Sequence, residues 1–369
     1  MKVLHVAETM RGGIASYLND YLITLVDNPK GYDVIVLCPD EHLKDLNINK
    51  ITSDNKINFV GFKKYKNRVL SSFSMCFSFI SIFLSFKPDV VHLHSTFAGF
   101  FLRIPIRLLS KSVNVVYCPH GWAFDRKGHL ISNKLTLYME KGLSFFSDYI
   151  VCISNYEYNI ALSSNFDAEK LVLVTNGIID DLPANATGKE IIWPQNKVRV
   201  LFVGRFDDQK GIDVFFKSMN NSPNAFAYVI GSSVLNEKNK NHIIPDNCML
   251  LGWLSRDLII SYYDSADVLI MPSRWEGFGL TAIEAMRSKL AVIATDVGGL
   301  SEIVINGVTG YLVESESHAD ISNILENSSR EKFKALGEAG YSVFKEKFTM
   351  IRVLNSLDEI YNKKNNVVF

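Results

Sequence analysis

Short apolar runs rich in β-branched residues recur along this chain at helix-length intervals: "KVLHVA", "DVIVLC", "INFVGF", "DVVHLHS", "VNVVYCP", "YIVCIS" and "LVLVTNG", then "VRVLFVG", "FAYVIG", "CMLLGW", "DVLIMPS", "LAVIATD" and "GYLV". Strands this apolar must be covered on both faces, and the spacers between them are long enough to supply covering helices. The pattern therefore reads as βαβ units around parallel sheets. It breaks once, at the polar segment "DDLPANATGKE" (residues 180–190), which reads as an interdomain linker. The expectation is an α/β chain of two doubly wound, Rossmann-like domains, residues 1–185 and 186–349, with a tail at 350–369. In that tail "RVLNSLDEIYNKK" places Val353, Leu354, Leu357, Ile360 and Tyr361 near one helix face.

A length of 369 residues suits two cores better than one. Lysine plus arginine equals aspartate plus glutamate at 39 each, so no global field selects nucleic acid or an acidic partner, and charge recognition has to be local. Five cysteines are scattered singly (Cys38, Cys76, Cys118, Cys152, Cys248), without the paired spacing of a zinc site or a disulfide framework, which fits a reducing compartment. The start, "MKVLHVAET", reads as a first strand and not as a secretory signal. Residues 69–86, "VLSSFSMCFSFISIFLSF", are uncharged and near the length of a membrane span. Their six serines, the following Lys-Pro and the strand beyond favour a buried or interface-lying helix. The loop before them, "KKYKNR", carries Lys63, Lys64, Lys66 and Arg68; it reads either as a solvated loop or as a contact with an anionic membrane surface.

Doubly wound sheets bind ligands beyond the carboxyl ends of their strands. In the second half, "GRFDDQKG" places Arg205 and Lys210 on a short loop before a helix, a pattern open to a diphosphate or to an ordinary surface loop. After "DVLIMPS" comes "SRWEGFGLTAIE", with Glu276 before a Gly-x-Gly step and Glu284 about one turn into the helix that starts near Leu280. Favourable placement at a helix start explains an acid there at about 0.3–1 kcal/mol, but not the glycines beside it. Gly277 and Gly279 permit close approach to the backbone, and a carboxylate at Glu284 can accept from a vicinal diol such as a ribose.

"EGFGLTAIE" resembles the E-x7-E motif of family 4 glycosyltransferases, retaining enzymes of the GT-B fold, and "GRFDDQKG" is similar to that family's phosphate loop. "RGGIASYL", "HG" at 120, "SN" at 154, "NG" at 176 and "TDVGGLSEIVINGVTGYLV" follow in family order, so the resemblance covers nearly the whole chain and points to the bacterial surface-polysaccharide type. It implies that the second domain binds a nucleotide sugar and the first lies on the acceptor side, with the active site in a cleft between them and the last helix crossing back to the first domain. Arg205 and Lys210 would hold the donor diphosphate, and Glu284 the ribose. Glu276, with the backbone of Gly277, Phe278, Gly279 and Leu280, would hold the transferred sugar, and Trp253 would lie by the base. Gly13 would admit phosphate or acceptor, and His120 would face the reacting sugar. Glu276 and His120 are thus the catalytic candidates.

The resemblance also implies same-face substitution through an oxocarbenium-like state, with the leaving phosphate oxygen taking the acceptor proton. No Asp-x-Asp occurs, so no metal and no cofactor are expected, the donor being a substrate. A uridine diphosphate sugar is the first donor expected, guanosine diphosphate mannose the second. The expected acceptor is a polyprenyl-diphosphate-linked oligosaccharide for O-antigen, capsule or exopolysaccharide, met at the inner face of the cell membrane. A nucleotide-sugar epimerase, a phosphorylase and a non-catalytic scaffold use the same fold and stay open.

Overall fold

The computed structural model describes residues 1–45, 51, 56–125, 130–180, 190–232 and 243–363. Most of the linker expected at 180–190 lies outside these residues. The chain divides into two compact units, Met1–Ile179 with Met350–Phe369, and Asp180–Thr349.

In the first unit the strands are β1 (Lys2–Ala7), β2 (Asp33–Pro39), β3 (Ile57–Phe62), β4 (Val90–His94), β5 (Asn114–Cys118), β6 (Tyr149–Cys152) and β7 (Leu171–Leu173). Among the described residues they form one parallel sheet in the order β3-β2-β1-β4-β5-β6-β7. The helices are α1 (Gly13–Asp27), α2 (Arg68–Phe86), α3 (Thr96–Leu109), α4 (Leu130–Ser144) and α5 (Asn155–Ser163). The last described helix of the chain, Met350–Lys363, also belongs to this unit and packs on α1. It buries Val353, Leu354, Leu357, Ile360 and Tyr361, the stripe its spacing implies.

The apolar segment 69–86 forms α2, about a third of which is buried. Asn67 caps it, its side-chain oxygen accepting from the amides of Val69 and Leu70, and Lys87 ends it in a left-handed turn before Pro88. Met75, Phe79, Ile82 and Phe83 join the core beneath the sheet, so the helix is a layer of this unit.

The second unit repeats the construction with β8 (Val198–Val203), β9 (Ala225–Ile230), β10 (Cys248–Gly252), β11 (Val268–Met271), β12 (Ala291–Thr295) and β13 (Gly310–Val313), parallel in the order β10-β9-β8-β11-β12-β13. Its helices are α6 (Ile212–Asn220), α7 (Arg256–Ser265), α8 (Leu280–Arg287), α9 (Leu300–Ile303), α10 (His318–Asn327) and α11 (Arg330–Lys347); the helix Met350–Lys363 is α12. Each sheet reverses direction of winding once, between β1 and β4 and between β8 and β11. Loops that diverge at such a point leave a crevice outside the strand ends, the usual ligand position in doubly wound sheets.

Candidate active site

At the β8/β11 switch point, the loop Gly204–Gly211 leaves β8 and the loop Pro272–Gly279 leaves β11. Their backbones touch. Gly211 has φ +63, and a Cβ there would lie 2.0 Å from the carbonyl oxygen of Pro272, so a side chain would force the loops apart. Beneath them, Gly298 (φ +56) packs against Glu276, where a Cβ would stand 1.8 Å from the carbonyl oxygen, and the amide of Gly299 donates to that oxygen at 3.2 Å. The "GG" of the following strand-end loop thus fixes the height of Glu276.

Lys210 and Glu276 form an ion pair, Nζ to Oε2 at 2.5 Å, with both side chains mostly buried. The sequence expectation gave them separate ligand groups; the structure brings them to one point. An ammonium beside a carboxylate is suited to a ligand that carries a phosphate oxygen next to a hydroxyl, because each partner can exchange the other for the ligand group of opposite need. Arg205 lies on the same loop, about half exposed, paired with Asp207 at 3.1 Å and donating to Gln209 at 2.8 Å. Its guanidinium is therefore held at the surface of the loop by neutralising partners.

Glu284 lies one turn into α8, and its Oε2 accepts from the buried Tyr263 hydroxyl at 3.1 Å. Burial and the neighbouring carboxylate push the Tyr263 phenol well up, so it stays a donor and orients Glu284. Phe278 is buried against Phe348, so only its backbone is available to a ligand, as expected for a position in the Gly-x-Gly step. Trp253, just beyond β10, is 53% exposed. A further residue was not singled out from sequence. Arg274 holds Asp213 of α6 bidentately at 2.9 and 2.8 Å, binds Glu316 and donates to the Asp208 carbonyl at 2.9 Å. It ties the Gly204–Gly211 loop to α6 and to Glu316. Its place inside "SRWEGFG" was the only signal available.

In the first unit, Gly13 is the first residue of α1 and exposed; the left-handed conformation belongs to its neighbour Gly12 (φ +60), so the turn depends on Gly12. His120 follows β5 with φ +51, uncommon for a residue with a side chain. Its Nε2 lies 2.9 Å from His94 Nδ1, and His94 Nε2 lies 3.0 Å from His5 Nδ1. Burial lowers His120 to about 4 and His5 to about 3, and holds His94 and His92 well below the usual imidazole range. All four are neutral at pH 7. His5, His92 and His94 also bring ring nitrogens within 4.8 Å of one another.

The four cations of "KKYKNR" separate in the structure. Lys64 pairs with Glu41 at 3.5 Å and meets His42, while Arg68 forks onto the buried Glu8 at 3.1 Å and stacks on Phe97. Both are spent within the fold. Lys63, over the Tyr65 ring, and Lys66 remain exposed.

Two doubly wound units, the second with a cationic loop and two glutamates at its switch point, have the construction of a GT-B glycosyltransferase. Residues 11–182 match the family model described as Glycosyltransferase Family 4, and residues 186–343 the one described as Glycosyl transferases group 1. An uncharacterised 41.2 kDa protein in the cps region of Klebsiella pneumoniae is 33% identical over 98% of this chain and 99% of its own. The Escherichia coli UDP-Gal:α-D-GlcNAc-diphosphoundecaprenol α-1,3-galactosyltransferase is 26% identical over 67% of each chain. Anabaena HepE, solved in complex with UDP-glucose, superposes with a TM-score of 0.77 at 17% identity, covering 97% of this chain and 98% of its own. The chain belongs to the family 4, group 1 glycosyltransferases.

Proposed function

We propose that this glycosyltransferase moves a sugar, with retention and without a metal ion, from a uridine diphosphate sugar to a hydroxyl of a polyprenyl-diphosphate-linked oligosaccharide in surface-polysaccharide synthesis. The observation that carries the reading is the Lys210–Glu276 pair at the β8/β11 switch point, with Arg205 on the same loop and Glu284 one turn into the next helix. On this reading Lys210 turns to the diphosphate as Glu276 turns to the sugar hydroxyls, Arg205 adds a second cation, and the amides at the start of α8 face the charge. Glu284 grips the ribose diol and Trp253 supplies a flat face for the base. In the first unit His120 is the residue that meets the sugar. The E. coli relative acts on a UDP sugar and a diphosphoundecaprenol-linked acceptor, and the HepE structure holds UDP-glucose; both support this choice of donor, and the relative supports the acceptor.

The test is a screen of uridine, guanosine and adenosine diphosphate sugars for hydrolysis and for transfer to a polyprenyl-diphosphate-linked glycan, with and without chelator. Turnover of a uridine donor that survives chelation, with a product of unchanged anomeric configuration, is the expected result. Loss on chelation and rescue by one divalent ion would remove the metal-free mechanism. Interconversion of two nucleotide sugars without acceptor would indicate an epimerase, and no reaction of any donor a scaffold.

The same reading places the protein on the inner face of the cell membrane. The side of α2 away from the core exposes Phe73, Phe77 (75%) and Leu84, and carries no charge from Val69 to Phe86. Its neighbour α3 exposes Leu108 (83%), and α4, next to α3, exposes Ile131 (83%) and Leu135. Of the nine lysines and arginines between residues 55 and 124, Lys56, Lys63, Lys66, Lys87 and Lys111 are exposed, whereas Arg103 is buried on Glu140 and Arg107 pairs with Asp148. An apolar face with exposed lysines in the same part of the chain is complementary to an anionic bilayer. Vesicles with anionic lipid should bind the protein, and Lys63→Ala with Lys66→Ala should weaken binding about 25-fold, at roughly 1 kcal/mol per cation. Equal flotation with neutral and anionic vesicles would overturn the electrostatic part, and no flotation the whole.

A further inference from the structure

The first unit contains a second polar arrangement that the donor site does not use. In the register of β1 and β4, His5 stands opposite His92, and His94, two residues on, turns to the same face. His5 and His94 are 1% and 0% exposed, and the two hydrogen bonds described above join them to the half-buried His120 in a single line.

We infer that His5 and His94 form a hydrogen-bonded relay that fixes His120 as its Nδ1–H tautomer, so that His120 meets the sugar as a hydrogen-bond donor and not as a base. A neutral imidazole has one N–H and one bare nitrogen, so a line of three must point one way throughout. If it ran from His120 inward, the last N–H would be His5 Nε2, which is buried and has no hydrogen-bond partner among the described residues. A buried orphan N–H is rarer than a buried orphan acceptor. The line therefore runs outward: His5 Nδ1–H donates to His94 Nε2, His94 Nδ1–H donates to His120 Nε2, and the proton of His120 is left on Nδ1, which makes no hydrogen bond among the described residues. The left-handed backbone of His120 (φ +51) is a local cost that holds the ring in this line. A donor at this point suits a sugar hydroxyl oxygen. It is also consistent with a mechanism in which the leaving phosphate takes the acceptor proton, because no base is then needed.

The inference rests on the reading of His120 as ligand-facing, and its positioning residues are His94 and His5. It can be tested in the full chain without substrate by the ring nitrogen and proton shifts of 15N-histidine-labelled protein at pH 7. We expect three Nδ1–H imidazoles, assigned by the loss of each signal in His5→Gln, His94→Asn and His120→Gln. His94→Phe fills the volume and donates nothing, so His120 should revert to Nε2–H and turnover should fall about tenfold while donor KM stays within about twofold. His94→Asn retains an amide donor near the Nδ1 position and should keep the His120 tautomer and most of the rate. A wild-type His120 with its proton on Nε2 would overturn the inference, as would an unchanged tautomer in His94→Phe. So would one equivalent of zinc bound tightly by His5, His92 and His94. Should His94→Phe fail to fold, the wild-type spectrum and His94→Asn decide the question alone. A wrong function reading would show differently, as no transfer from any donor alongside an intact tautomer pattern.

Discussion

Glu276→Ala is expected to lower sugar transfer by about three orders of magnitude, roughly 4 kcal/mol of transition-state stabilisation. Affinity for the nucleotide diphosphate alone should stay within about threefold, or rise. The asymmetry follows from the ion pair. Glu276 pairs with Lys210 at 2.5 Å, so removing the carboxylate frees a cation for the diphosphate while it deletes the group assigned to the sugar. Glu276→Gln separates charge from hydrogen bonding: it keeps an acceptor for a sugar hydroxyl and loses the negative charge, and should fall between alanine and wild type. Calorimetric titration with uridine diphosphate, set beside single-turnover transfer rates, measures both quantities. Parallel losses in binding and rate would instead make Glu276 a general support for the loop.

Acid should destabilise the first unit well before carboxylates protonate. His5 titrates at about 3 in the folded chain and at about 6.5 when unfolded. Its folded value is the lower one, so stability is complete above pH 6.5 and declines as pH falls, because the unfolded state gains a proton that the folded state refuses. Each such imidazole contributes about 1.36 kcal/mol per pH unit, so His5 alone costs about 2 kcal/mol at pH 5. His120 behaves alike down to about 4, and His92 and His94 add in the same direction. Urea unfolding at pH 7 and pH 5 reads the effect. The drop in His5→Gln should be smaller than in wild type by about 2 kcal/mol, whatever other groups titrate. An identical drop in the two proteins would mean that His5 is not held neutral by burial.

Most of the fold was legible because parallel strands need apolar faces on both sides, and that requirement writes long β-branched runs into the sequence. The loops that mattered were legible for the same reason, since they follow those runs. Pairings were not. Lys210 and Glu276 lie 66 residues apart and meet only because β8 and β11 are neighbours in the sheet. His5 lies inside β1, His94 ends β4 and His120 follows β5, and only the strand order β1-β4-β5 aligns them. The cluster "KKYKNR" was misleading in the opposite sense: adjacency in sequence suggested four free cations, while folding paired Lys64 with the exposed Glu41 and Arg68 with the buried Glu8. Arg274 was hidden because nothing local distinguishes a structural arginine from a ligand-binding one.

The contacts of Gly211 with Pro272 and of Gly298 with Glu276 also bear on how such an enzyme can diversify. At both places main chain rests on main chain with no room for a side chain, so the backbone of these loops cannot be reshaped by small steps. Variation is confined to what projects from it. A new sugar or nucleotide preference would have to arise through exchange of side chains around an inherited backbone template, which makes saturation mutagenesis at projecting positions such as Trp253 and Arg205 a more productive route to altered donors than insertion or deletion in the loops themselves.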